Sequence, residues 1–306
     1  MGLMSYVAAR ARHYYSAMDG SEVDTDLPSR LRVVFLLYPS HQSVEILRQI
    51  VTHDDVLPVA IVESSVVDTR RHGWELVRFL AARERRWFVQ RKVFEVIVGR
   101  AATAFACVTG FRGGSVRALS RRLGVALLSC ADVNQPAFVE QLRCLDADLF
   151  VSIHFNHIFR AEAIQAAKLG TINVHGALLP RHRGLFPHLY ALRDGDTNSG
   201  VTIHWIDVGI DTGRPIVSGS FPIGPSDTVV SVENRAAELG AKLLGDAIAK
   251  IRANGNGEHD GDAPVATLRG QYHSWPTRAD RILLRERGRR YMCARDIVEM
   301  FRAARS

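Results

Sequence analysis

The stretch Thr171-Ile172-Asn173-Val174-His175 carries two polar side chains two residues apart in an otherwise apolar run. A strand alternates its side chains with period two, so Ile172 and Val174 take one face while Asn173 and His175 share the other. A hydrogen-bonding amide then stands beside an imidazole that can carry a proton at neutral pH. In an open α/β sheet the carboxyl end of a strand is where ligands bind, and the following Leu178-Leu179-Pro180-Arg181-His182-Arg183-Gly184 suits a rigid loop over such a site. A second polar feature is the glycine-flanked turn Gly209-Ile210-Asp211-Thr212-Gly213, set between apolar runs. The bland alternative is that an isolated Asn-x-His only satisfies nearby backbone groups.

The elements that must position these residues follow from periodicity. Residues 32–38 read as a buried strand, 43–51 as an amphipathic helix and 56–62 as a second strand, an opening βαβ unit that implies a parallel sheet. Residues 74–99 are helical, rich in arginine and aromatics, and longer than a connection needs, which makes them an insertion. Strands are expected at 104–108, 125–128 and 149–154, and helices at 115–123, 136–144 and 160–167, with Gly170 stopping the last helix. After the strand 171–175 come strands 201–206 and 215–218, then a long helix capped by Ser226 and Asp227. The fold class is α/β: an open, mostly parallel, Rossmann-like twisted sheet with helices on both faces and a short C-terminal appendage. The expected division is a loosely ordered leader at 1–31, a catalytic domain at 32–253 with its insertion at about 65–113, a polar linker at 254–264, and a small module with one helix at 265–306.

Composition sets outer bounds. With 306 residues, 47% hydrophobic and 23% charged, the chain is an ordinary globular protein, and no apolar run reaches the ~18 residues of a membrane span. The first thirty residues lack the apolar core of a signal peptide, and four scattered cysteines fit a reducing cytoplasm. A net charge of +7 fits an anionic ligand, although arginine clusters are commonly solvated helix faces.

Taken together, Asn173-Val174-His175-Gly176-Ala177-Leu178-Leu179-Pro180, then Gly184, then Asp207-Val208-Gly209-Ile210-Asp211-Thr212-Gly213 resemble the folate-dependent formyltransferase family. That family has an Asn-x-His-x-Ser/Ala-Leu-Leu-Pro segment followed some thirty to forty residues on by an aspartate in a glycine-bearing turn. The resemblance covers about 32–63 and 115–252. It implies one-carbon transfer from 10-formyltetrahydrofolate to an amine, with Asn173, His175 and Asp211 catalytic and no metal required. An amide N–H or a protonated imidazole would hold the oxygen of the tetrahedral centre, His175 would shuttle the amine's proton, and Asp211 would orient His175 or a relaying water. The resemblance also places the folate pterin against Phe155-Asn156-His157-Ile158 and against Asp207, Val208, Gly209 and Ile210. His154 and His157, with no carboxylate or cysteine suitably near in sequence, are read as rim residues.

The acceptor is written less plainly. After the first strand stands Leu37-Tyr38-Pro39-Ser40-His41 rather than the glycine-rich phosphate loop of the family's purine-pathway member. The tail is shorter than the barrel that follows the catalytic domain of the initiator-tRNA enzyme, so tRNA is the less favoured partner. Its Gln271-Tyr272-His273-Ser274-Trp275-Pro276-Thr277 is similar to the short end of enzymes acting on nucleotide-linked amino sugars. A small-molecule amine is therefore the expected acceptor. The alternatives are a methionyl-tRNA formyltransferase-like enzyme, a 10-formyltetrahydrofolate hydrolase using the same three residues, or a noncatalytic nucleotide- or RNA-binding module. A dinucleotide oxidoreductase is disfavoured, because Gly110-Phe111-Arg112-Gly113-Gly114 has the wrong spacing for a Gly-x-Gly-x-x-Gly turn. Trp74, Trp87, Phe88 and Phe94 are expected to pack within the chain, with a homodimer contact as their other use.

Overall fold

The computed structural model describes residues 30–68, 71, 73–82, 84–108, 115–253 and 270–303. Nearly all of the expected leader, the linker 254–264 and the Gly110–Gly114 stretch lie outside them. The strands are β1 (Leu31–Leu37), β2 (Val56–Ser64), β3 (Ala126–Cys130), β4 (Leu149–Ile153), β5 (Gly170–His175), β6 (Arg183–Gly184), β7 (Asn198–Trp205), β8 (Pro215–Pro222) and β9 (Tyr272–His273). The helices are α1 (His41–Ile50), α2 (Gly73–Ala81), α3 (Arg86–Val108), α4 (Val116–Leu123), α5 (Pro136–Arg143), α6 (Ala161–Ile164), α7 (Pro187–Asp194), α8 (Val229–Ala253), α9 (Arg278–Glu286) and α10 (Ala294–Ala303).

A seven-stranded sheet runs β3-β2-β1-β4-β5-β7-β8. The pairings from β3 to β5 are parallel, and β7 and β8 are added antiparallel. The central strands are apolar on both sides because both faces are covered. Val33, Phe35 and Leu37 join a core with α1, α4 and α8, while Val34 and Leu36 join a separate core with α5 and α6. Each such side chain contributes roughly 1.5–3 kcal/mol on burial. The chain direction across the sheet reverses between β1 and β4, so their carboxyl ends, with that of β5, open a crevice at the switch point.

Several local expectations are corrected. Residues 104–108 are the last turns of α3 rather than a strand. The helix expected at 160–167 is only the single turn α6, and Gly170, at φ +111°, begins β5 instead of ending a helix. The cap of α8 is Thr228 rather than Ser226 or Asp227: its Oγ1 accepts from the Ser231 N–H at 3.0 Å, and Ser231 Oγ accepts from the Thr228 N–H at 2.9 Å. The tail holds two helices, α9 and α10, where one was expected. It also returns to the segment that follows β5, because β9 pairs parallel with β6. Of the insertion's aromatics, Phe88 is fully buried and Trp87 donates its indole N–H to the Thr277 carbonyl at 3.1 Å, but Trp74 and Phe94 stay exposed. Among the described residues no helix is long and apolar enough to cross a membrane.

Candidate active site

Sheet register brings the polar side chains together. Asn173 lies opposite Ser152 of β4 on one side and His204 of β7 on the other. Ser152 Oγ donates to Asn173 Oδ1 at 2.9 Å, which leaves the amide nitrogen toward His204 Nε2 at 3.2 Å. His204 Nδ1 lies 2.8 Å from the Trp205 carbonyl, so that nitrogen carries the hydrogen and Nε2 accepts. Burial holds the His204 imidazole down near a pKa of about 4, and His175 pushes the same way against Asp211 and the Trp205 carbonyl. A neutral His204 therefore fixes one Asn173 N–H and leaves the other for a ligand.

His175, 5% exposed, closes the same row. Its Nε2 donates to the His182 carbonyl at 3.1 Å, so Nδ1 is the basic nitrogen, and it faces Asp211 Oδ2 at 3.5 Å. Asp211 is held in turn by the Gly184 N–H on Oδ2 at 2.7 Å, while its Oδ1 lies 3.6 Å from His204 Nε2. The backbone there is strained in a directed way. Four non-glycine residues at positive φ, His154, His182, Phe186 and Asp211, surround this point, a sparsely populated conformation that persists only where the surroundings impose it. Thr202, opposite His175 on β7, donates to the Ala177 carbonyl and accepts from the Leu179 N–H, pinning the loop after β5.

Gly176 is needed for a separate reason. A Cβ there would come within 2.4 Å of His188 Nε2. His188 is buried, its Nδ1 has no hydrogen-bond partner among the described residues, and burial, with His154 and His175, holds its pKa down to about 3.

These residues line a cavity of about 1010 Å³ at the crevice. Phe155, Asn156, His157 and Ile158 form one wall; Asp207, Gly209 and Ile210 form another. Phe155 stacks on His157 at 4.3 Å, and His157 Nε2 meets Ser64 Oγ at 2.9 Å, so both rings are structural. Burial holds the His157 imidazole down at about 4. Asn156 donates to the Val66 and Val67 carbonyls, yet its buried Oδ1 has no hydrogen-bond partner among the described residues. Asp207 Oδ1 accepts from the Gly209 N–H and the Thr212 hydroxyl and so shapes the turn that presents Asp211. Val208 is 75% exposed and does not line the cavity.

The opposite wall was not anticipated from sequence. Lys92 and Glu95 of α3 pair at 2.9 Å, Glu233 of α8 lies 3.8 Å from Lys92, and Tyr291 donates its hydroxyl to Glu95 at 2.7 Å. Burial pushes the Glu233 carboxyl up, and its Oε2 has no hydrogen-bond partner among the described residues. Trp275 packs edge-on against Phe186 and Phe88 and also faces the cavity, so it is a structural ring that doubles as a lining group. His204 and Ser152 were missed as well, although the alternation that singled out Asn173 and His175 also puts Thr202 and His204 on one face of β7.

A donor amide, a histidine with one free basic nitrogen and a carboxylate beside it can stabilise an oxygen gathering negative charge and accept a proton from an attacking nucleophile. That is the requirement of acyl transfer. Comparison with known proteins agrees. Residues 116–248 match the formyl transferase family. The methionyl-tRNA formyltransferase of Trichlorobacter lovleyi is 37% identical over 133 residues, 44% of this chain and 42% of that protein. The chain thus spans less than half the length of that curated relative. Among solved structures, phosphoribosylglycinamide formyltransferase from Anaplasma phagocytophilum aligns with a TM-score of 0.51 at 17% identity, covering 80% of this chain and 99% of that one. A 4-N formyltransferase from Francisella tularensis gives 0.50 at 18%, covering 79% and 76%. At such identity the likeness is one of fold.

Proposed function

We propose, for a chain whose residues 116–248 match the formyl transferase family, that it moves a formyl group from 10-formyltetrahydrofolate to the amine of a small acceptor. The observation that carries this reading is the convergence of Asn173, His175 and Asp211 at the end of β5, each held by a partner of its own. The donor supplies the formyl carbon: the amine nitrogen first bonds to it, giving a tetrahedral centre, and the carbon's bond to the folate nitrogen breaks when that centre collapses. The free Asn173 N–H takes the oxygen of the tetrahedral centre. His175 Nδ1 accepts the amine's proton and returns one to the departing nitrogen. Asp211, 3.5 Å away, stabilises the imidazolium formed between those steps.

The donor's heterocycle fits the walls formed by residues 155–158 and by Asp207, Gly209 and Ile210, where backbone edges can read the donors and acceptors of its ring. A cavity of this size suits a ligand pair of drug-like dimensions. The acceptor then lies on the side of Lys92, Glu95 and Glu233, groups suited to the hydroxyls and amine of an amino sugar, with a nucleotide-linked sugar the class we favour. In this reading 32–253 form the catalytic unit, while the insertion and tail shape the acceptor side.

The test follows tetrahydrofolate release from 10-formyltetrahydrofolate by the purified chain, alone and with a panel of amines that includes nucleotide-linked amino sugars and methionyl-tRNA. Release that requires a small amine and is abolished in Asp211→Ala is the expected result. Equal release without acceptor identifies a hydrolase. Release with methionyl-tRNA alone replaces the acceptor, and no release or folate binding at all overturns the reading.

A further inference from the structure

Outside the cavity described above, among the described residues, one group of side chains brings metal-ligating atoms together: His182, Asp194 and His273, with ligand atoms all within 4.8 Å of one another. His182 Nδ1 lies 3.3 Å from His273 Nε2. Two nitrogens bound to one zinc ion at about 2.05 Å with a tetrahedral angle between them stand about 3.3 Å apart. The gap between the two imidazoles is therefore the bite of a single cation.

The surroundings fix which atoms are free. His182 Nε2 faces Asp196 Oδ2 at 2.8 Å, so that nitrogen carries the hydrogen and Nδ1 presents its lone pair to His273. A carboxylate behind a ligating imidazole is the usual way its ring is oriented and its basicity raised. The Asp194 Oδ1 atom accepts from Arg193 Nε at 2.6 Å, while Oδ2 turns toward His182 Nδ1 at 4.0 Å. Arg193 is further neutralised by Asp280 at 2.6 Å, and Arg181 by Asp196. Both imidazoles are buried, and His273 is held flat against Tyr190 with ring centroids 3.9 Å apart. His182 and Asp194 also line a second cavity of about 860 Å³ that gives a cation and a water ligand a way in.

We propose that His182, His273 and Asp194 form a site for one divalent cation of zinc type, with water in the fourth position. Without the cation a single hydrogen on His273 Nε2 bridges to His182 Nδ1; with it, that hydrogen resides on His273 Nδ1 and both facing nitrogens bind the metal. The site joins β9 of the tail to the loop after β5. It acts on the residue whose backbone carbonyl receives His175 Nε2, so metal binding braces the active-site histidine from behind.

The test titrates Co²⁺ into the metal-free full-length chain and follows visible absorption, then adds Zn²⁺. One equivalent giving the intense bands of four-coordinate cobalt, displaced by Zn²⁺ and absent in His273→Asn, is the expected result. Asp196→Asn should weaken binding about ten- to hundredfold, because the orienting carboxylate is lost but the ligands remain. Should His273→Asn fail to fold, Asp194→Asn, at a half-buried position, carries the same test. No saturable binding, or binding that neither ligand substitution changes, overturns the site. None of these outcomes depends on formyl transfer.

Discussion

The two sides of the main cavity are built on different principles. On the side of β5 and β7 each polar group is anchored by its own neighbours: Asn173 in sheet register between Ser152 and His204, Asp211 on the Gly184 N–H, His175 on the His182 carbonyl. On the side of α3 and α8 the groups are ionic and depend on one another: Lys92 with Glu95 and Glu233, and Tyr291 closing on Glu95. In the function proposed above, the first arrangement preorganises donors for a charge that appears only during reaction. The second has already joined its charges to each other, so it contributes to stability and shape, and a ligand must compete for it. Chemistry and selectivity therefore respond to different substitutions.

The largest effect that would break this contrast is at Asn173. Asn173→Ala should lower kcat about a hundred- to thousandfold with little change in Tm, since it removes one donor to the developing oxygen. A loss confined to KM would show that the amide binds substrate rather than the transition state. Lys92→Met should do the reverse. Leaving Glu233 without its cation and Glu95 with the Tyr291 hydroxyl alone costs roughly 3 kcal/mol, the low end for a broken buried pair because the lysine side chain keeps 29% exposure. Urea unfolding would register it, with acceptor KM raised and any acceptor-independent turnover unchanged; unaltered stability would mean the network is not coupled. His204→Leu sharpens the first side. It removes the acceptor that orients Asn173 while keeping apolar bulk, and should cost about ten- to hundredfold in kcat, corresponding to roughly 1–3 kcal/mol for a lost buried partner.

The same contrast explains what the sequence disclosed. Asn173, His175 and Asp211 were legible because the strand alternation and the glycine-flanked turn that place them are local. His204 sits in an equally regular strand, but its role depends on the register Asn173↔His204, which no local pattern fixes. Lys92, Glu95, Glu233 and Tyr291 come from three distant stretches of chain, and nothing in any one of them marks a shared network. Residues 104–108 were misread because Ala-Phe-Ala-Cys-Val is a continuous apolar run, which periodicity alone cannot assign, and the helix from Arg86 simply continues through it. His182 and His273 are 91 residues apart and meet only because β9 returns to β6.

The smallest effect separates the two sides by the sign of their pH dependence. His204 and His157 are held down at about 4 and His188 at about 3, chiefly by burial, against an ordinary value of 6.5. An unfolded chain protonates these imidazoles as pH falls below 6.5 while the folded one does not, so their contribution is complete above 6.5 and is lost as pH drops through about 4. Glu233 acts in the opposite sense. Burial raises its carboxyl above the ordinary 4.5, so the folded protein keeps a proton that the unfolded one releases, and that contribution is present at low pH and fades as pH rises. The three histidines outweigh the one carboxyl, and Tm should fall steadily from pH 6.5 to 4.5. In His204→Leu the slope over that range should flatten by up to one proton per molecule, and in Glu233→Gln it should steepen. A His204→Leu slope equal to that of the parent chain would mean that His204 is protonated in the folded protein, and the neutral acceptor that orients Asn173 would be lost with it.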